Sequence, residues 1–202
     1  MAGLRPTKAF TNVTLDLAQI ASGRRFGRIY HERYPNPLGF GKTKSRFSDS
    51  RRRSEDKRFG ILSLGATLKV CFVEAILRDR RNGAVGDYPI EEADLAQRRY
   101  AEIVVKSLLR LVDLRGDGPI RMGIPSDVVG STRQTLARAW SVAFYNHPAM
   151  PDGIIYASRL NEDINLAIYD RAIAKLNAER VCALMKASGF ADVLNTLNVA
   201  LI

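Results

Sequence analysis

The stretch that most constrains this chain is Phe59 to Asp79, FGILSLGATLKVCFVEAILRD. Gly60 to Leu64 reads as an apolar extended piece that stops at Gly65. From Ala66 the apolar spacing changes from period two to period 3.6, which predicts a strand, a glycine and then a helix. At about 100° per residue, Glu74 shares a helix face with Thr67, Val70, Cys71 and Leu77, while Leu68, Phe72, Val73 and Ile76 cover the rest. A helix apolar nearly all round is a buried one. A carboxylate on it costs several kcal/mol unless it is paired, hydrogen-bonded or facing a wet cleft. Two explanations stand at this point, a structural ion pair with an arginine or a functional acid.

With 202 residues and 46% hydrophobic content, one domain with a proper core is expected. No stretch approaches the roughly 20 apolar residues that span a bilayer. The N-terminus interrupts its apolar residues with Lys8 and Asp16, unlike a signal peptide, so the expectation is a soluble, cytoplasmic protein. Cys71 and Cys182 sit among helix-like apolar residues and suit buried free thiols. His31 and His147 stand far apart, so no metal site is expected.

The net charge of +10 calls for anionic partners, whether nucleic acid, nucleotide phosphates or an acidic protein. Much of it lies in Lys42 to Arg58, with Arg51, Arg52 and Arg53 in succession. With serines, acids and only Phe47 as an aromatic, this run reads as a solvated loop before a nucleic-acid patch.

Thr14 to Ala21 reads as an amphipathic helix, making residues 1–23 a helical leader packed on a domain of residues 24–202. Arg24 to Tyr34 alternates as a strand does, with Arg28 in mid-strand, a position that asks for an anionic partner. The GKT within Pro35 to Lys44 fails as a P-loop, because Asn36 stands where that motif needs glycine. Ser45 to Ser48 reads as a short extended piece placing Arg46, and Asn82 to Asp94 as a loop. Tyr100 to Val105 and Leu109 to Leu114 read as strands, Arg121 to Gly130 as a loop, and Gln134 to Tyr145 as a helix that His147 helps to stop. Gly153 to Ser158 and Asn165 to Asp170 read as paired strands, with Ser158 at a strand end, and Arg171 to Ser188 as a helix ended by Gly189.

No GxSxG, HExxH, GxGxxG or CxxC pattern occurs. What remains is Glu74, Arg28, Arg46 and Ser158. One acid with two arginines suits a dianionic substrate whose bond breaks as positive charge develops: guanidinium forks hold pyrophosphate oxygens, and a carboxylate stabilises an oxocarbenium-like centre.

In that order these residues resemble the RES domain, the toxin of bacterial toxin-antitoxin pairs. Arg28 in GRIYH matches its early strand arginine, and Gly39 to Ser48 with Arg46-Phe47 its glycine-rich loop. LSLGATLKVCFVEAILRD supplies its glutamate, Glu74, and YASRLNEDINLAIYD its late serine, Ser158, and asparagine, Asn165. The family tyrosine that stands eleven residues before the glutamate falls on Ser63, so the site is expected to be complete except there.

The resemblance implies an α+β fold, a mixed or antiparallel sheet with packed helices similar to ADP-ribosylating toxins, and cleavage of NAD at the nicotinamide-ribose bond by hydrolysis or phosphorolysis. Glu74, Arg28 and Ser158 would be catalytic, with Arg28, Arg46, Ser63, Ser158 and Asn165 meeting the substrate. NAD is then the substrate and no cofactor is needed. The partner would be an acidic or helix-turn-helix antitoxin, with nucleic acid met only indirectly. ADP-ribosyl transfer to a protein and a basic, non-enzymatic nucleic-acid-binding module are the alternatives.

Overall fold

The computed structural model describes residues 5–51, 54–78, 80, 83 and 85–202. Its strands are β1 (Leu17–Ile20), β2 (Arg25–His31), β3 (Ile61–Gly65), β4 (Tyr88–Ile90), β5 (Arg98–Val105), β6 (Leu109–Asp113), β7 (Gly153–Ala157), β8 (Ile164–Tyr169), β9 (Leu176–Ala183) and β10 (Val199–Leu201). The α-helices are α1 (Leu68–Phe72), α2 (Glu92–Ala96), α3 (Gly118–Arg121), α4 (Asp127–Gly130), α5 (Thr135–Tyr145) and α6 (Phe190–Thr196). The fold is α+β, as expected.

Eight strands form one sheet in the order β1-β6-β7-β8-β3-β2-β5-β9, with β6 and β7 parallel and the other neighbours antiparallel. Two tight connections, β1 to β2 and β5 to β6, join opposite halves of that order. The sheet therefore has to roll until its ends approach. The Gly23 amide donates to the Val105 carbonyl at 2.8 Å, and the Ser22 hydroxyl to the Lys106 carbonyl at 2.9 Å, fastening one turn to the other. Gly23 has φ +86°, a left-handed turn position that favours glycine. The concave side encloses Phe26, Leu62, Leu64, Ile103, Leu109, Leu111, Leu166 and Ile168, all buried. Other cores lie under α5, around Trp140 and Phe144, and under α1 and α6, around Phe72 and Phe190.

β2 and β3 pair only at Gly27 opposite Gly65 and diverge from there. This wedge interrupts an otherwise continuous ladder. α1 lies directly on its closed end: a Cβ on Gly65 would come within 2.6 Å of Val70 Cγ1 and 2.7 Å of Cys71 Sγ. Thr67 caps α1, its hydroxyl oxygen accepting from the Val70 amide at 3.1 Å. The helix then widens into one π-turn, Val73–Leu77, closed by the Arg78 amide donating to the Val73 carbonyl at 2.6 Å.

The strand, glycine and helix of the central stretch stand as expected, as do the strand containing Arg28, strands β5 and β6, helix α5 and the β7-β8 hairpin. His147 is structural, its Nε2 lying 3.1 Å from the Val13 carbonyl. Five expectations are corrected, the first being that Arg121 to Gly130, read as a loop, ends in the one-turn helix α4. Thr14 to Ala21 is not a helix: Leu17–Ile20 is the edge strand β1, paired with β6 from Leu17 opposite Val112 to Ile20 opposite Leu109, so the residues before 24 are not a separate leader. Two turns of weak helical periodicity lose to the open edge of β6. Arg171 to Ser188 is not a helix either, because its middle is β9, which satisfies the edge of β5, between two short 3-10 turns. Gly189, at φ +79°, precedes α6 rather than ending a helix. Within Asn82 to Asp94, β4 and α2 form, β4 being paired in parallel with the distant β10. Ser45 to Ser48 is a turn, closed by the Ser48 hydroxyl donating to the Ser45 carbonyl at 3.0 Å.

The basic run is more tied down than a solvated loop. Asp49 is buried and accepts from Arg51 Nε and from the Phe59 amide. Although burial pushes its pKa up, the hydrogen bonds and charge of Arg51 outweigh it and hold the carboxyl below its usual range. Arg52 and Arg53 lie outside the described residues.

Replacing Gly65 by alanine should lift α1 off the wedge. We expect a loss of about 1–3 kcal/mol in urea unfolding; an unchanged midpoint would show that the contact at Gly65 is not tight.

Candidate active site

The divergence of β2 from β3 opens a cleft of about 600 Å³, lined by both strands, the Gly41 to Arg46 segment, the π-turn and the start of the loop after β7. Its walls carry Arg28, Arg33, Lys44, Arg46, Arg78, Arg98 and Arg159, and among the described residues that line it the one carboxylate is Glu74.

Glu74 is half-buried and sits in the π-turn, over the β7-β8 hairpin. One oxygen, Oε1, accepts from the Ser158 hydroxyl at 2.7 Å and from Asn165 Nδ2 at 3.1 Å. Ser158, 1% exposed, reaches the cleft only through the carboxylate it holds, whereas Asn165, 4% exposed, also lines the cleft. The Ser158 oxygen also accepts from the Leu160 amide at 3.2 Å, which orients its proton toward Glu74. Among the described residues Glu74 has no ion pair, and its second oxygen, Oε2, has no hydrogen-bond donor. The structural ion pair with an arginine is thereby set aside. Two neutral donors stabilise the charge on one side and leave the other side for a ligand.

Arg28 lies on the face of β2 that carries Phe26 and Tyr30, and it meets the cleft where the wedge opens. Its Nη1 donates to the Pro37 carbonyl at 2.6 Å and its guanidinium lies 5.5 Å from the Tyr30 ring centre. Burial pulls its pKa down to about 10, still far above neutral. A desolvated guanidinium with no carboxylate among the described residues is a position suited to a ligand anion. Arg46 is positioned by its turn and by α4: Nη1 donates to the Val129 and Ser131 carbonyls at 2.9 Å each. Arg98 also lines the cleft, with its Nε buried and lacking a hydrogen-bond partner.

All six sequence-chosen residues thus converge here. Arg28, Arg46, Glu74, Ser63 and Asn165 line the cleft, and Ser158 backs it. Ser63 is exposed in the middle of β3, between buried Leu62 and Leu64. Sequence reasoning missed Tyr156, Arg33, Arg98 and Arg159. Tyr156 had a signal: it precedes Ser158 by two on a strand and so shares its face. Arg98 had none, because its place depends on the pairing of β5 with β2.

No protein-family model matches the chain. It is 43% identical over 103 residues to the probable toxin y4kH of Sinorhizobium fredii, a match spanning 51% of this chain and 81% of that protein. The chain belongs to the RES-type toxins of toxin-antitoxin systems. Its fold is similar to that in the crystal structure of the M. tuberculosis MbcT-MbcA toxin-antitoxin complex, with a TM-score of 0.60 at 14% identity, over 81% of this chain and 85% of that one. Among the described residues, no helix of this RES-type chain is long and apolar enough to cross a membrane.

Because Ser158 and Asn165 share one acceptor, their contributions should not add. Ser158→Ala and Asn165→Ala should each cost about 1–3 kcal/mol in chemical unfolding, and the double variant should depart from their sum by about 0.5 kcal/mol or more. Strict additivity would mean that the shared bond to Glu74 is absent in solution.

Proposed function

We propose that the chain is a toxin enzyme that cleaves NAD at the nicotinamide-ribose bond. The observation that carries this reading is Glu74, among the described residues the one carboxylate of the cleft, held through Oε1 and without a donor at Oε2, in a cleft whose walls carry several cations. Cleaving that bond leaves positive charge on the ribose, which a fixed carboxylate stabilises more than it stabilises the ground state. Arg28 and Arg46 supply forked donors for the pyrophosphate. In this reading Ser158 and Asn165 hold the carboxylate in place.

The partner, on this reading, is an antitoxin protein. The similar M. tuberculosis toxin was solved in a toxin-antitoxin complex. An acidic segment suits a chain of net charge +10 whose cations concentrate at the cleft. NAD is a substrate, and the proposed chemistry calls for no cofactor or metal. The setting would be cytoplasmic, where NAD is available.

The test is nicotinamide release from NAD by the purified protein, with and without inorganic phosphate, alongside labelled NAD to detect transfer of ADP-ribose to macromolecules. Free ADP-ribose is expected without phosphate; label found only on protein would favour transfer instead. Glu74→Gln keeps an oxygen for Ser158 and Asn165 and should remain folded while losing about 10²- to 10³-fold in kcat. Ser63→Tyr, which puts a phenol at the exposed position of β3, should raise the rate. Release by neither the wild type nor Ser63→Tyr would overturn the reading.

A further inference from the structure

Tyr156 of β7 is flanked by both groups that hold Glu74. It lies directly opposite Asn165 in the β7-β8 ladder, and Ser158 is two residues along on the same face. Its ring is fixed by an edge contact with Phe47, centroids 5.0 Å apart, and Phe47 follows Arg46 in the turn that places that arginine. Protein surrounds the ring, yet Tyr156 keeps part of its surface on the cleft. Among the described residues no group is hydrogen-bonded to its hydroxyl. Burial pushes the phenol pKa up, the Glu74 charge adds to this and Arg46 opposes it, so the group stays protonated and senses both charges. The other two phenols on the cleft are differently used: Tyr30 packs in the concave core beneath Arg28, and Tyr34 is exposed beside Arg33.

The cleft thus carries a donor, Tyr156 Oη, on the strand pair whose Ser158 and Asn165 hold Glu74, and an acceptor, Glu74 Oε2, and among the described residues neither is used by the protein. A hydroxyl group both accepts and donates, so one ligand hydroxyl can satisfy the two at once. Water can do so as well, but the fixed ring and the neighbouring guanidinium favour a hydroxyl carried by a phosphorylated sugar. We infer that Tyr156 is a substrate-contacting residue whose hydroxyl donates to a ribose hydroxyl that in turn donates to Glu74. The inference rests on the NAD-cleaving reading and adds a contact to it.

Tyr156→Phe, Glu74→Gln and the double variant would be compared with the wild type for nicotinamide release from NAD, calorimetric affinity for ADP-ribose and thermal melting. Tyr156→Phe loses no protein hydrogen bond and should melt with the wild type. Its ADP-ribose affinity and kcat/KM should both fall about ten- to a hundredfold, as for a lost hydrogen bond in a charged setting. In the Glu74→Gln background the same change should matter less, because the two share one ligand hydroxyl. Unchanged affinity and rate in Tyr156→Phe, or a fall matched by a much lower melting point and undiminished by Glu74→Gln, would overturn the inference alone. A fall in kcat at unchanged ADP-ribose affinity would assign the phenol to the attacking water and likewise overturn the ribose contact. A wild type that neither binds ADP-ribose nor releases nicotinamide would overturn the NAD reading together with this one.

Discussion

The bonds from Ser158 and Asn165 to Glu74 Oε1 join two of the elements around the cleft, the π-turn after α1 and the β7-β8 hairpin. A carboxylate in an otherwise apolar helix is costly, and hydrogen bonds from neutral donors reduce that cost without neutralising the charge. An arginine partner would have stabilised the same carboxylate more simply, but it would have spent the charge on the protein. Using both donors on one oxygen keeps the group fixed and leaves Oε2 exposed to the cleft. Each supporting residue is in turn positioned by something ordinary: Thr67 caps the helix, the Leu160 amide orients Ser158, and Gly65 lets the helix lie on the sheet.

The same economy holds for the arginines. β2 and β3 diverge from Gly27 and Gly65, which leaves the facing edges of two neighbouring strands unpaired. Arg28 fills that gap against a ring and a carbonyl rather than a carboxylate, and Arg98 leaves a buried Nε unsatisfied. Crowding several cations into one cleft destabilises the free protein, and burial adds to the cost. Departures of this kind from local satisfaction are concentrated where a ligand can offset them. Away from the cleft the charges are paired in the usual way, as Asp49 is with Arg51 and Asp113 with Arg115.

Much of the cleft was legible because its residues lie in segments whose period is set locally. Alternation placed Arg28 on a strand, the change of period at Gly65 placed Glu74 on a helix, and the acidic turn joined the two strand ends that carry Ser158 and Asn165. The errors have a common cause. β1, β4, β9 and β10 are short or edge strands whose pairing partners lie far away in sequence, and their local patterns were too weak to resist tertiary demand. Arg98 and Arg33 join the cleft only because β2 and β5 pair in a particular register, with His31 opposite Arg98, and no local period encodes that.

The π-turn was also invisible to periodicity, and it bears on how the acid is delivered. In a continuous α-helix, Glu74 would share its face with Val70 and Cys71, both of which are buried against the sheet. The wider turn from Val73 to Leu77 shifts the carboxylate off that face, so it can reach the hairpin donors while Ile76 and Leu77 stay in the core. The cost emerges one residue later. Arg78 leaves the turn at φ +46°, a strained position for a side chain of its size, and its Nε donates back to the Glu74 carbonyl at 3.0 Å. Backbone strain at Arg78 and the exposed oxygen of Glu74 are therefore two ends of one device. The helix is deformed so that its acid can face the cleft, and the arginine that absorbs the deformation adds its own charge to the wall.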